Sequence, residues 1–280
     1  MTCFRAGCLV AGVAALAACK DPSDPAVGVG RLRVVNSVFQ GVGVASATPV
    51  AVDVLVDSST TGAGLAALPG ASVSAGSASG QGAGTHAGAG AIFTAAGYRD
   101  LPSGIHGFLA QVSGTAENFF RTGAGEYVPK QYVLPFPYTF VLAGVDTTNP
   151  PDPSAVPWAM IADDPFPPPP DSARVQVINA APMADTAGVV GQGMAITATF
   201  AGTGDTFSGT ASYRASSGYM NAPPGSYTLT LTVADTMLLY SAPVTLAQGE
   251  VRTFIVQSTA YAATAGPGNT KVTNLLDNQW

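Results

Sequence analysis

The chain has 280 residues and a net charge of −6, with 47% hydrophobic and only 10% charged residues, where a typical soluble domain carries about 25% charged residues. It has no Lys/Arg cluster that would displace counterions from nucleic acid or hold acidic lipid headgroups, so charge-driven binding to either is excluded. Its 33 Gly and 22 Pro favour short strands joined by turns over long helices, and recurrent apolar runs argue against disorder.

Residues 1–18 read as a secretory signal peptide. Arg5 supplies the single positive charge of its first part. The apolar run over 6–18 is shorter than the roughly 20 residues a membrane-spanning helix needs. The run ends at Leu16-Ala17-Ala18-Cys19, which resembles the lipobox of bacterial lipoproteins. The resemblance implies that the Cys19 thiol is joined to a diacylglycerol and that the chain is then cut before it. Cys19 is thus the expected lipid-attachment residue, and membrane lipid, held through the acyl chains, is the expected partner. Two or three acyl chains anchor firmly where one binds marginally. The plainer alternative is an ordinary signal cut after an Ala-x-Ala site, with Cys19 left as a thiol. By the same resemblance, Lys20 stands where an Asp would retain a lipoprotein at the inner membrane. That implies the outer membrane of a Gram-negative envelope. The other cysteines, Cys3 and Cys8, leave with the signal, so no disulfide is expected even in a compartment that permits one. Residues 19–30 lack periodicity and read as a flexible tether.

An internal repeat follows. Arg31-Leu-Arg-Val-Val-Asn-Ser is matched by Arg174-Val-Gln-Val-Ile-Asn-Ala. Tyr98-Arg-Asp-Leu-Pro-Ser-Gly is matched by Tyr219-Met-Asn-Ala-Pro-Pro-Gly, Tyr138-Thr-Phe-Val-Leu by Arg252-Thr-Phe-Ile-Val, and Ile161-Ala-Asp-Asp by Leu275-Leu-Asp-Asn. The four matches keep their order, which chance rarely does. The first copy, 31–166, is the longer. Most of its excess falls in a Gly/Ala/Ser-rich insertion near 60–90, which reads as a surface loop. A proline-rich linker, 167–171, joins it to the second copy, 172–280. Four consecutive prolines predict a stiff, extended connector.

Strands are predicted at Leu32–Val38, Val50–Val56, Tyr132–Ala143, Val175–Ala180, Ala195–Phe200, Met237–Leu246 and Val251–Gln257. The clearest period is at Tyr227, Leu229, Leu231 and Val233, which alternate with Thr228, Thr230 and Thr232. That pattern predicts a half-buried antiparallel strand. His106, Phe108, Ala110 and Val112 alternate likewise in the first copy. No helical period follows the signal. The predicted architecture is all-β, with two tandem antiparallel β-sandwiches of immunoglobulin-like type.

Arg174 to Ala180, Ala222 to Tyr227, Leu246 to Val256 and Leu275 to Asn278 together resemble the bacterial domain-of-unknown-function family 4397. The first copy departs from it at His106, where the pattern has Tyr, and by its insertion. The resemblance implies an envelope or secreted β-sandwich module, often in tandem, and no catalytic or binding residues.

Candidate chemistry is sparse. His86 lies in Gly-rich sequence, and His106 is expected to be a packed core histidine. No nucleophile elbow accompanies either one. Zinc lacks soft ligands. Asp163 and Asp164 are adjacent, so a strand would point them to opposite faces. Asp53, Asp57, Asp146, Asn149 and Asp152 read as solvated turn residues rather than a calcium loop. Hence no catalytic, cofactor-binding or metal site is expected. Phe119, Phe120, Tyr127, Tyr132, Phe136 and Tyr138 crowd one part of the first copy, most of them as core. An exposed subset would stack on a glycan or an envelope protein. The leading expectation is a membrane-anchored, non-enzymatic structural or adhesive module of the cell envelope. The alternative is a glycan- or protein-binding lipoprotein that uses loops and aromatics of the first copy. A hydrolase built on His106 or paired carboxylates stands third.

Overall fold

The computed structural model describes residues 29–40, 48–50, 52–56, 72–73, 99–102, 104–106, 108–112, 118–121, 131–133, 137–146, 158–163, 167–182, 194–234, 237–259 and 266–277. The signal peptide and Cys19 lie outside these residues.

The N-terminal half forms β1 (Val29–Gln40), β2 (Thr48–Pro49), β3 (Val52–Val56), β4 (Ser72–Val73), β5 (Arg99–Pro102), β6 (Gly104–His106), β7 (Phe108–Val112), β8 (Asn118–Arg121), β9 (Gln131–Val133), β10 (Pro137–Asp146) and β11 (Trp158–Ala162). The C-terminal half forms β12 (Ala173–Asn179), β13 (Ile196–Gly202), β14 (Thr206–Ala211), β15 (Met220–Ala222), β16 (Gly225–Val233), β17 (Met237–Leu246), β18 (Val251–Ser258) and, after a 3-10 turn at Pro267–Asn269, β19 (Thr270–Leu276). The described chain is thus nearly all β, in line with what its composition favours.

The strands form sheets in the orders β11-β10-β1-β2 (with β5 also on β1), β4-β3-β7-β8, β15-β12-β18-β19 and β14-β13-β16-β17, and a small β6-β9 pair. The last two four-stranded sheets face each other as a sandwich. Val175 and Val177 of β12 and Phe254 and Val256 of β18 share one core with Ile196, Ala198 and Phe200 of β13 and with Tyr227, Leu229 and Leu231 of β16. Phe200 stacks on Phe207 at 4.8 Å between ring centroids and tilts against Phe254 at 5.5 Å. The predicted alternation on β16 is present: Tyr227, Leu229 and Leu231 are buried, and Thr228 is exposed. The Tyr227 hydroxyl donates to the carbonyl of Pro223 at 2.8 Å, which pins the turn into β16.

The expectation of purely antiparallel sheets is corrected. β1 runs parallel to β10, and β12 runs parallel to β18. Parallel strands are normally buried on both faces. Seven of the eight residues of β18 are buried, with only Arg252 partly exposed. The period-2 pattern shows two faces but not that both are covered.

The two halves pair their strands in one register. Leu32 opposes Tyr138 and Arg99, and Val175 opposes Arg252 and Met220. Tyr138 opposes Ala162 as Arg252 opposes Leu276. A bulge falls at Ala110/Gln111 in β7 and at Leu231/Thr232 in β16. These are the residues that the sequence repeat aligns.

Three further expectations change in detail. The run Tyr132–Ala143 is two strands, β9 and β10. Pro137 opens the second, a place where a missing N–H costs little. Two residues of the 60–90 insertion, Ser72 and Val73, form β4 against β3, so the insertion is not loop throughout. In the linker, Pro170 and Asp171 form a turn. Ser172 Oγ donates to the Pro169 carbonyl at 2.7 Å, and Gln248 Nε2 donates to Asp171 at 2.9 Å.

Candidate functional site

On β1 and β10 alternate residues point to opposite faces. Leu32, Val34, Phe140 and Leu142 share one face. Arg33, Val35, Thr139 and Val141 share the other, and all eight are buried. On β12 and β18 the same rule puts Gln176, Ile178, Thr253 and Ile255 opposite the sandwich core. These second faces meet across the halves: Val35, Val141 and Ala143 pack with Ile178, Ala180, Ile255 and Leu275.

At one end of this contact the packing becomes polar. Arg33 is fully buried, at 0% exposure. Its Nε donates to Thr139 Oγ1 at 2.7 Å and its Nη1 to Asp277 Oδ1 at 2.6 Å. Its Nη2 donates to Thr253 Oγ1 at 3.2 Å and to Asp163 Oδ1 at 3.4 Å. The Thr139 hydroxyl donates to Asp163 Oδ2 at 2.6 Å, and the Thr253 hydroxyl donates to Asp277. Gln176 stands where the repeat would place a second arginine. Its Nε2 lies within hydrogen-bond distance of Asp163 Oδ1 (2.8 Å), Thr253 Oγ1 (2.9 Å) and Tyr219 Oη (2.7 Å), and its Oε1 accepts from Ser216 Oγ. Each half therefore supplies a Thr, an Asp and one long donor.

A buried cation this well bonded costs little while intact and much when one partner is lost. Burial pushes the Asp277 carboxyl above the usual carboxylate range, against the pull of Arg33 and the Thr253 hydroxyl, and the Asp163 carboxylate pushes it the same way as burial. None of these six side chains is more than 7% exposed, and their polar groups are bonded to one another.

A second cross-half contact lies further along the strands. Gln257 Nε2 donates to Ser37 Oγ at 3.1 Å and to the Asn36 carbonyl at 3.3 Å. Two buried asparagines stand at matched positions of the repeat, Asn36 inside β1 and Asn179 at the end of β12. Asn36 Oδ1 accepts from Val38 N, and its Nδ2 donates to the Val50 carbonyl. Asn179 Oδ1 accepts from Ala181 N, and its Nδ2 donates to the Met194 carbonyl.

The sequence-derived candidates fall as follows. Asp163 is 3% exposed and belongs to the cluster; adjacency to Asp164 gave no sign of that. Tyr138 is buried, as a core aromatic should be. His106 ends β6, Asp53 lies in β3, Asp146 ends β10, Phe119 and Phe120 lie in β8 and Tyr132 in β9. The side chains of these six lie outside the described residues, as do His86, Asp57, Asn149, Asp152, Asp164, Tyr127 and Phe136 altogether. Arg33, Thr139, Gln176, Thr253 and Asp277 were not singled out from sequence. The available signal was that each sits inside a repeated motif, four of them as polar residues at core-strand positions and Asp277 just after β19. Among the described residues, no group of three or more His, Cys, Asp and Glu is placed to hold a metal, and no helix is long and apolar enough to cross a membrane.

No protein-family model and no curated protein matches the chain. Among solved structures it is similar to the Bacillus anthracis TIE protein, at 10% identity and a TM-score of 0.20, over 85% of this chain and 34% of that one. The chain thus spans about a third of the length of that structure. It is also similar to provisionally named cell adhesion proteins from Bacteroides uniformis and Bacteroides ovatus. Both are 10% identical, with TM-scores of 0.23 and 0.22. They cover 92% and 89% of this chain, and 100% and 96% of their own. At these TM-scores the likeness carries no argument, and the functional reading rests on the chain's own residues.

Proposed function

We propose that the protein is a lipid-anchored module of the bacterial envelope with a structural or adhesive role and no catalytic one. In this reading its body is two tandem immunoglobulin-like sandwiches of the domain-of-unknown-function 4397 kind, held at the outer membrane through Cys19. The observation that carries it is the buried cluster of Arg33, Thr139, Asp163, Gln176, Thr253 and Asp277, a clasp between the halves. The most heavily bonded polar side chains described are buried between the halves and bonded to one another. That use of polar groups suits a part that holds position rather than one that binds and turns over a substrate. The Leu16-Ala17-Ala18-Cys19 ending of the export signal supports the anchor.

The test is mass spectrometry of the mature N-terminus, with and without globomycin. The expected result is an N-terminal Cys19 carrying diacylglycerol, and an uncleaved precursor that accumulates under the drug. A freely soluble mature protein with an unmodified N-terminus overturns the anchor.

A further inference from the structure

The C-terminal sandwich has four edge strands, β15 and β19 in one sheet and β14 and β17 in the other. An open edge offers N–H and C=O groups to a further strand, and proteins usually blunt it. Three of these four edges are blunted. β15 is three residues long, and β19 carries the exposed Lys271. β17 carries the exposed Pro243 and pairs with β16 through the bulge at Leu231/Thr232. β14, Thr206-Phe-Ser-Gly-Thr-Ala, has no charge and no proline, and its register with β13 is unbroken from Thr206 to Ala211. Among the described residues it pairs with β13 alone.

The turn before β14 fixes which of its backbone groups face outward. Gly202 N donates to the Asp205 carbonyl at 2.8 Å, so these two residues form a hydrogen-bonded pair. Such pairs alternate along an antiparallel ladder. Phe207, Gly209 and Ala211 therefore turn their N–H and C=O toward β13, and Thr206, Ser208 and Thr210 turn theirs away. The same three residues carry the exposed side chains of the strand. They also end the hydroxyl rows of the sheet's outer face. Ser208 continues the row Ser241, Thr230, Thr199, and Thr210 continues the row Thr232, Thr197.

We infer that β14 pairs with β14 of a second copy of the chain, antiparallel, about a two-fold axis at Ser208. That register sets Ser208 against Ser208 of the second copy and Thr206 against its Thr210. It uses the outward N–H and C=O of all three residues in each copy. It also joins the hydroxyl rows of the two sheets, and opposed Thr and Ser side chains stabilise a strand pair. A two-fold one residue on, at Gly209, leaves the outward groups of Thr206 without a partner in β14. The strand is its own complement and carries no charge to repel its copy, which selects a second copy as the occupant. A strand pair of six residues covers well under the roughly 1,200 Å² of a stable complex. The pairing is therefore weak between dilute chains and grows with their local concentration. The inference rests on β14 and not on Cys19, so failure here and failure of the anchor are read in separate experiments.

The experiment measures self-association of the full chain by sedimentation over a rising concentration series. It compares the unchanged protein with Ser208→Lys and Thr228→Lys. Both variants add the same charge to the same face of the sheet. Only Ser208→Lys sets two like charges against each other at the two-fold, because Thr228 lies two strands inward. Ser208→Lys should weaken the association about tenfold or more, and Thr228→Lys should follow the unchanged chain. Equal association in both variants overturns the proposal, as does an unchanged chain that stays monomeric throughout. If either variant does not fold, amide hydrogen exchange in the unchanged chain decides. The N–H groups of Thr206, Ser208 and Thr210 should exchange more slowly as the chain is concentrated. Rates that do not change with concentration overturn the pairing.

Discussion

Arg33 and Gln176 stand at the same place in the two halves, on the same edge of a parallel strand pair and in the same register, yet they do different work. Arg33 reaches across the boundary and bonds to residues of both halves. Gln176 bonds to Asp163 in the other half and otherwise to Thr253, Tyr219 and Ser216 of its own. The backbone framework is shared, and the chemistry hung on it is not. A duplicated scaffold meeting itself face to face would be symmetric. One exchanged side chain makes this contact asymmetric, with an arginine contributed by one half and a glutamine by the other.

The comparison can be broken most forcefully at its cation. Arg33→Met takes a bonded cation away from two buried carboxylates and should cost about 3–5 kcal/mol. Gln176→Met removes the bonds of an uncharged amide, one of them to the Asp163 carboxylate, and should cost about 1–3 kcal/mol. Urea unfolding of both variants decides. Equal losses would mean that the two positions are energetically alike after all.

The asparagines test the opposite claim, that the halves are equivalent where their residues agree. Asn36→Ala takes the side-chain partner from a backbone N–H and a carbonyl, and Asn179→Ala from an N–H, a carbonyl and a second, more distant carbonyl at 3.4 Å, at about 1–3 kcal/mol per variant. Calorimetry should find the two penalties close to each other.

Smaller effects mark features of the C-terminal half. Tyr227→Phe removes the bond to the Pro223 carbonyl and should cost about 0.5–1.5 kcal/mol, read from the denaturation midpoint. Smallest is Glu250→Gln. The Arg252 guanidinium, which donates to Glu250 at 2.9 and 3.0 Å, holds that carboxyl below its usual range. A lowered carboxyl contributes stability above the ordinary Glu range and loses it as pH falls through the folded value. The variant should therefore differ from the unchanged chain near neutral pH, by no more than about 1 kcal/mol for such a partly exposed pair. The difference should fade in acid.

Much of the architecture was readable from residues. The sequence reading of Met237–Leu246 coincides with the bounds of β17, and those of β1, β12 and β18 lie within a few residues of the observed ones. β14 and β19 escaped notice. Their residues, Thr206-Phe-Ser-Gly-Thr-Ala and Thr270-Lys-Val-Thr-Asn-Leu-Leu, lie at sheet edges and are mostly exposed or half-exposed, so little apolar pattern marks them. The clasp was invisible for another reason. Thr139 and Thr253 look like ordinary outward-facing strand residues, and Asp163 and Asp277 like ends of turns. Only the recurrence of the motifs hinted that something held them in common.

Local residue pattern settled which side chains share a strand face, where turns break the strands, and that the same sequence of elements occurs twice. A period of two cannot say what lies against each face, nor whether a neighbouring strand runs parallel or antiparallel. Those choices depend on partners more than a hundred positions away, such as Arg33 and Thr139 or Arg33 and Asp277. Only the folded chain, by closing the second face of β1 and β12 against each other, turned scattered polar residues into one buried, mutually bonded group.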